Sequence, residues 1–257
     1  MGYGRCGFAG MTASIRQVVL GLIALTVVDS SPSHTVDAIV RAHGGREAFY
    51  TLRDVQYRLS VRDIATKQTM ESLERYLFDK ERSYAKYEKE DREEFFDGRT
   101  AQVLINGKKI EDRKKIHRAG IMRKRNYFLF SLPFKLLDHG VRYKNVGSRV
   151  VQERKYDVMD ISFSGAAGEK ADRLRLYLDP KSKRIDQFIF TNVAENGNES
   201  FLMKCDWEEI NGVWLATLRR YARSDWEGNL RGEWIADEKL DRIQFWNGFH
   251  PSDFVPR

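Results

Sequence analysis

The chain has 257 residues, of which 12% are aromatic and 32% charged, with a formal net charge of +7. The aromatic content excludes a disordered chain, and the length allows one large all-β domain or two small ones with a substantial buried core. The basic balance favours acidic partners, anionic lipid headgroups among them, without choosing between them.

Near the N-terminus, Arg5 and Arg16 precede VVLGLIALTVV, Val18 to Val28. This run has the length of a secretory h-region and is too short to span a bilayer, which takes roughly 20 apolar residues. Residues 1–30 are therefore expected to be a signal peptide, starting at Met1 or Met11 and removed near Ser30, with residues 31–257 forming a single domain. Cys6 lacks the apolar and small-residue context of a lipoprotein anchor. Cleavage leaves Cys205 alone, which rules out an internal disulfide or a cysteine-based zinc site. The expected location is periplasmic or secreted, in a bacterial envelope.

HTVDAIVRAHGGREAFYTL then reads as a short amphipathic helix with Val36, Ile39, Val40 and His43 on one side. It stops at Gly44-Gly45 and restarts toward Phe49 and Leu52, glycine being suited to a left-handed helix end. His43 here is a packed or capping residue rather than a metal ligand.

From Asp54 the period changes to two. Val55, Tyr57, Leu59 and Val61 alternate with polar residues, and the pattern recurs in Leu174, Leu176 and Leu178 and in Phe201, Met203, Cys205 and Trp207. Turn signals separate such runs at Asp97-Gly98, Asn106-Gly107, Asp179-Pro180, Asn196-Gly197, Asn211-Gly212 and Gly228-Asn229. They predict about eleven antiparallel strands in a meander between Asp54 and Ile243.

Residues 111–137 interrupt the meander. A basic block, GKKIEDRKKIHRAGIMRKRN from Gly107 to Asn126, reads as a charged, helical connection running into the aromatic stretch NYFLFSLPFKLLDHG. Strands with one apolar and one charged face imply a sheet that curls over a plug. The candidate plugs are the N-terminal helix and Phe128, Phe130, Leu132, Phe134, Leu136 and Leu137, with Pro133 tolerated because it lies outside the sheet's hydrogen-bonded ladder. The expected fold is mainly β: an open antiparallel half-barrel with an N-terminal helix and a mid-chain helical, aromatic cover.

Catalytic patterns are missing. SFSGAAG, Ser162 to Gly168, lacks the first glycine of a nucleophile elbow. His34, His43, His117, His139 and His250 are scattered without metal-ligand spacing. Glu93-Glu94 and Glu208-Glu209 put neighbouring carboxylates on opposite faces of a strand. No catalytic residue, metal or cofactor is expected; a hydrolase assembled from Asp138, His139 and a distant serine is the enzymatic alternative. The basic block from Lys108 to Arg125 reads as a solvated connector or a surface for anionic membrane, and the signal segment argues against nucleic acid. Trp207, Trp214, Trp226, Trp234 and Trp246 read as core positions that, in a curved sheet, would also face a ligand.

The HGG ending the first helix, YFLFSLPFKLLDHGV, LRLYLDPKSKRIDQFIF and WEEINGVWLATLRRY occur in an order that resembles an uncharacterised family of secreted bacterial proteins with a LolA/LolB-like, lipoprotein-carrier-like fold. The resemblance implies a half-barrel whose concave apolar face binds lipid, a lipidated protein or another apolar ligand without covalent chemistry. On that reading the ligand-binding residues are the inward Tyr57, Leu59, Leu176, Met203 and Trp207 together with Phe128, Phe130, Phe134 and Leu137 of the cover. The alternative is an interaction module whose barrel is filled by its own side chains.

Overall fold

The computed structural model describes residues 32–163, 173–191 and 199–256. The expected signal peptide and the Asn196-Gly197 turn lie outside the described residues. Two short helices, α1 (Pro32–Ala42) and α2 (Arg46–Thr51), precede six strands: β1 (Asp54–Asp63), β2 (Thr69–Leu77), β3 (Arg82–Tyr87), β4 (Arg92–Phe96), β5 (Ala101–Ile105) and β6 (Lys108–Lys109). A long helix, α3 (Arg113–Lys135), follows. Seven more strands complete the sheet: β7 (Val141–Val151), β8 (Arg154–Phe163), β9 (Arg173–Leu178), β10 (Ile185–Thr191), β11 (Ser200–Ile210), β12 (Val213–Ser224) and β13 (Leu230–Phe245).

All thirteen strands form one antiparallel sheet in the order β6-β5-β4-β3-β2-β1-β13-β12-β11-β10-β9-β8-β7. The mainly β, open antiparallel architecture is the one expected, with thirteen strands where about eleven were counted. The chain runs from the middle of the sheet to one edge, crosses in α3, and returns from the other edge to the middle. That crossing explains the helix. Thirteen strands about 4.8 Å apart span roughly 58 Å along the sheet, whereas 23 residues of helix reach about 35 Å. A helix leaving one edge to feed the other must therefore lie across the mouth of a curled sheet. The described turn signals all fall between consecutive strands.

The glycines after α1 have a steric role. Gly44 has φ of +105°, and a Cβ there would stand 2.3 Å from the Gly212 carbonyl oxygen in the β11–β12 turn. The backbone bond from Trp214 N–H to the His43 carbonyl, 2.9 Å, fixes that close approach.

The charged faces of the strands are less bare than their alternation implied. On the convex side, Tyr156, Val158, Tyr177, Ile189 and Leu202 form a second apolar cluster with Trp226 and Trp234 against it. The outer face of this half thus carries a buried apolar cluster of its own. Arg173 and Arg175 hold their guanidinium groups 4.7 and 5.2 Å from the Trp226 ring, so the cations of the outer face shield aromatic surface as well as face water. A third cluster joins Tyr84 and Phe95 to Phe254 of the C-terminal tail. That tail is held by the Asp54 carboxylate, which accepts from the N–H groups of Asn247, Gly248 and Phe249 at 2.7, 2.9 and 3.2 Å.

Candidate ligand-binding face

The cover is a single helix. Asp112 caps α3 by accepting from the N–H groups of Lys114 and Lys115 at 3.0 and 3.1 Å, and the helix continues through the basic block into the aromatic stretch. Pro133 lies in its last turn, two residues before the end, so the missing N–H interrupts little helix. The inward stripe is Arg123, Tyr127, Phe130 and Phe134, at helical spacing.

All nine expected ligand-binding residues belong to one cluster beneath α3. Tyr57, Leu59, Phe130, Phe134, Leu176 and Met203 are buried, while Phe128, Leu137 and Trp207 pack half-buried at its margin. Phe130 stacks on Tyr57 with ring centres 5.4 Å apart, and Phe134 stacks on Phe49 at 4.2 Å. Here the side chains fill one another's space. Of the other tryptophans, Trp214 lies under the Arg184 guanidinium and Trp246 is 59% exposed, so only Trp207 contributes to the concave side.

The interior also holds charge that the sequence reading missed. Arg123 is completely buried and pairs with Glu74, and its Nε lies 3.1 Å from a Glu94 oxygen. Its Nη2 donates to the Tyr87 hydroxyl at 3.1 Å. Glu74 further accepts from Ser72 at 2.7 Å and from the Tyr76 hydroxyl at 3.2 Å, and Tyr76 shares a 2.8 Å hydrogen bond with Tyr57. Arg219 and Glu238, both nearly fully buried, pair at 2.8 Å across β12 and β13. Burial pushes the Glu94 carboxyl up, and Arg123 and Arg92 pull it back. Burial pushes the Tyr87 hydroxyl up to about 12, and those of Tyr57 and Tyr76 higher. These phenols stay neutral. Arg123 thus leaves the basic surface assigned to Lys108–Arg125: its helical position points it inward, where two carboxylates neutralise it.

An open cleft remains at the other end of the cover. Between the N-terminal half of α3 and β2–β5, a space with a cavity volume of about 240 Å³ is floored by Met70, Val103, Ile105, Ala119 and Met122. Lys115 and Arg118 of α3 line it too, as do Tyr87 and Glu94, with Arg92 paired to Glu90 and Glu94. Lys108, Lys109, Arg113, Lys114 and Lys124 are exposed on the same segment, so the cleft opens beside a basic surface.

This architecture has solved counterparts. A DUF1329 family protein from Desulfovibrio piger is 13% identical, with a TM-score of 0.54 over 87% of this chain and 97% of its own. A LolA superfamily protein from Nitrosomonas europaea is 11% identical, with a TM-score of 0.55 over 86% of this chain and 97% of its own. The fold is that of the LolA superfamily. Residues 99–221 also match DUF6503, a family of unknown function, and this span holds three of the four sequence motifs, the HGG being outside it. No curated protein matches the chain in sequence. The LolA-like fold expected from the order of the motifs is therefore borne out.

In this LolA-like frame the remaining candidate groups are held in packing and ion pairs. His43 is buried, with Nδ1 2.8 Å from the Ile39 carbonyl and its ring edge-on to Trp207 at 4.6 Å; burial pushes it down to about 4. Burial pushes the Cys205 thiol up to about 12. Asp138 is bound by Arg46 at 2.7 Å and Lys135 at 2.5 Å, and His139 is exposed. Among the described residues no histidine side chain hydrogen-bonds to a serine or a carboxylate.

Proposed function

We propose that the protein is a non-catalytic envelope protein that takes up the acyl chain of a lipid or lipidated polypeptide between α3 and the concave face of the sheet. The cleft beside Met122 carries this reading: an apolar floor beside the exposed Lys115 and Arg118 matches a chain with an anionic head. Each methylene withdrawn from water contributes about 0.8 kcal/mol, so such a floor supplies affinity without specific polar groups. At about 240 Å³ the cleft is smaller than typical small-molecule sites of roughly 300–1,000 Å³. It receives the end of a chain, and a full chain requires α3 to move away from Tyr57, Leu176 and Met203. Removal of residues 1–30 would deliver residues 31–257 to the envelope as one domain, and the exposed lysines and arginines around the cleft would rest on anionic membrane.

The dense packing under α3 favours a second reading, an interaction module whose barrel stays filled. A disulfide lock separates the two. A Cβ at Gly120 would lie 3.3 Å from the Ala101 Cβ, close to the separation of about 3.5–4.5 Å found in disulfides. In an Ala101→Cys/Gly120→Cys variant, oxidation should abolish uptake of a fluorescent fatty acid and reduction should restore it. No uptake in either state would favour the filled module, and equal uptake in both would mean that binding needs no movement of α3.

A further inference from the structure

The two ends of the sheet differ. β6 is a two-residue strand, but β7 offers eleven residues, about 37 Å of edge, with no strand on its outer side among the described residues. Free edges of that length are open to strand addition unless shortened, bulged or charged. β7 has one bulge, at Gly147, and three cations, Arg142, Lys144 and Arg149, without a single acid.

The cations share a face. Tyr143 and Asn145 stand opposite Ile161 and Met159, whose side chains join the core under α3, whereas Arg149 stands opposite Tyr156 of the convex cluster. By alternation on either side of the bulge, Arg142, Lys144 and Arg149 all lie on the convex side. Among the described residues none of the three forms an ion pair. Asp160, opposite Lys144, has its carboxylate held by Arg175 at 2.7 and 3.0 Å. On the concave side β7 carries Val141 and Tyr143, and Val150 there is 71% exposed.

We propose that β7 receives an extended segment of another protein, added as an edge strand, with acidic side chains at alternate positions and apolar ones between them. Main-chain hydrogen bonds supply the affinity and the alternate side chains supply the selection. A second copy of this chain is a poor occupant, since pairing β7 with itself sets like charges on the same face. The inference is independent of acyl binding.

The test uses a labelled ten-residue peptide in which glutamate alternates with valine and threonine. Its controls are a peptide of the same composition with the glutamates grouped at one end, and one with lysine replacing glutamate. Fluorescence anisotropy should show the alternating peptide binding at least ten-fold more tightly than either control, and amide hydrogen exchange should slow across residues 141–151. Arg142→Glu/Lys144→Glu/Arg149→Glu should leave thermal stability unchanged and reverse the preference toward the lysine peptide. Equal binding of the alternating and grouped peptides would reduce the effect to general attraction and overturn the proposal. Protection elsewhere than β7, or self-association through β7, would also overturn it.

Discussion

Arg123→Met isolates the buried charge that pins the cover to the sheet. The side chain is fully buried and is the only cation paired with Glu74 among the described residues, while Glu94 keeps Arg92 as a second partner. Methionine fills much of the volume but leaves the buried Glu74 carboxyl without its cation. Removing one member of a buried ion pair costs about 3–5 kcal/mol. For a domain of this size each kcal/mol shifts the melting temperature by about 2–4 °C, so a drop of roughly 6–20 °C is expected. The pH dependence identifies the cause. Glu94 already binds its proton more tightly than an unfolded glutamate, and without Arg123, which pulls it back, it should do so more strongly. The folded variant then holds more protons than the unfolded chain, so its stability falls as pH rises. Measured by urea unfolding, the deficit against the unmodified protein should be largest near neutrality and shrink as the pH is lowered toward 5. Glu74→Gln in the same background should recover part of it. A deficit under about 1 kcal/mol, or one constant with pH, would refute the reasoning.

Other expectations follow from single contacts. Phe134→Ala removes the ring stacked on Phe49 and should cost about 3–5 kcal/mol, while either Phe130→Asp or Phe134→Asp should lower both stability and lipid retention; unchanged melting and lipid content would mean that α3 is not a cover. His43 is held neutral down to about 4, whereas the unfolded residue takes up its proton near 6.5. Stability should therefore fall, by on the order of 3 kcal/mol, as the pH drops through that window, and His43→Gln should flatten the slope in urea midpoints. Cys205, buried and with its thiol pushed up to about 12, should react with iodoacetamide at pH 8 only in denaturant; rapid labelling of the native protein would contradict its placement.

Local patterns carried most of the architecture. Alternation in Val55–Val61 and Phe201–Trp207, asparagine and aspartate turns, and the Gly44-Gly45 stop are short-range signals, and each that falls among the described residues marks a strand, hairpin or helix end in the structure. The buried network was also partly visible. Arg123, Tyr127, Phe130 and Phe134 share one helical stripe, and Ser72, Glu74 and Tyr76 share one strand face. Reading the basic block only as a charged segment hid the first pattern, and treating charge as outward hid the second. The convex cluster and the Asp54 clamp on the C-terminal tail depend on residues brought together from distant strands, and no local periodicity reports them. The expected lining residues did converge, because inward alternation and the aromatic cover both follow from the same apolar face.

The most direct test of acyl binding under α3 is native mass spectrometry, with organic extraction, of the protein purified from an envelope fraction. A bound acyl lipid or lipoprotein, released on extraction, is the result predicted. A bare mass, together with no uptake of added fatty acid by the unlocked protein, would contradict it.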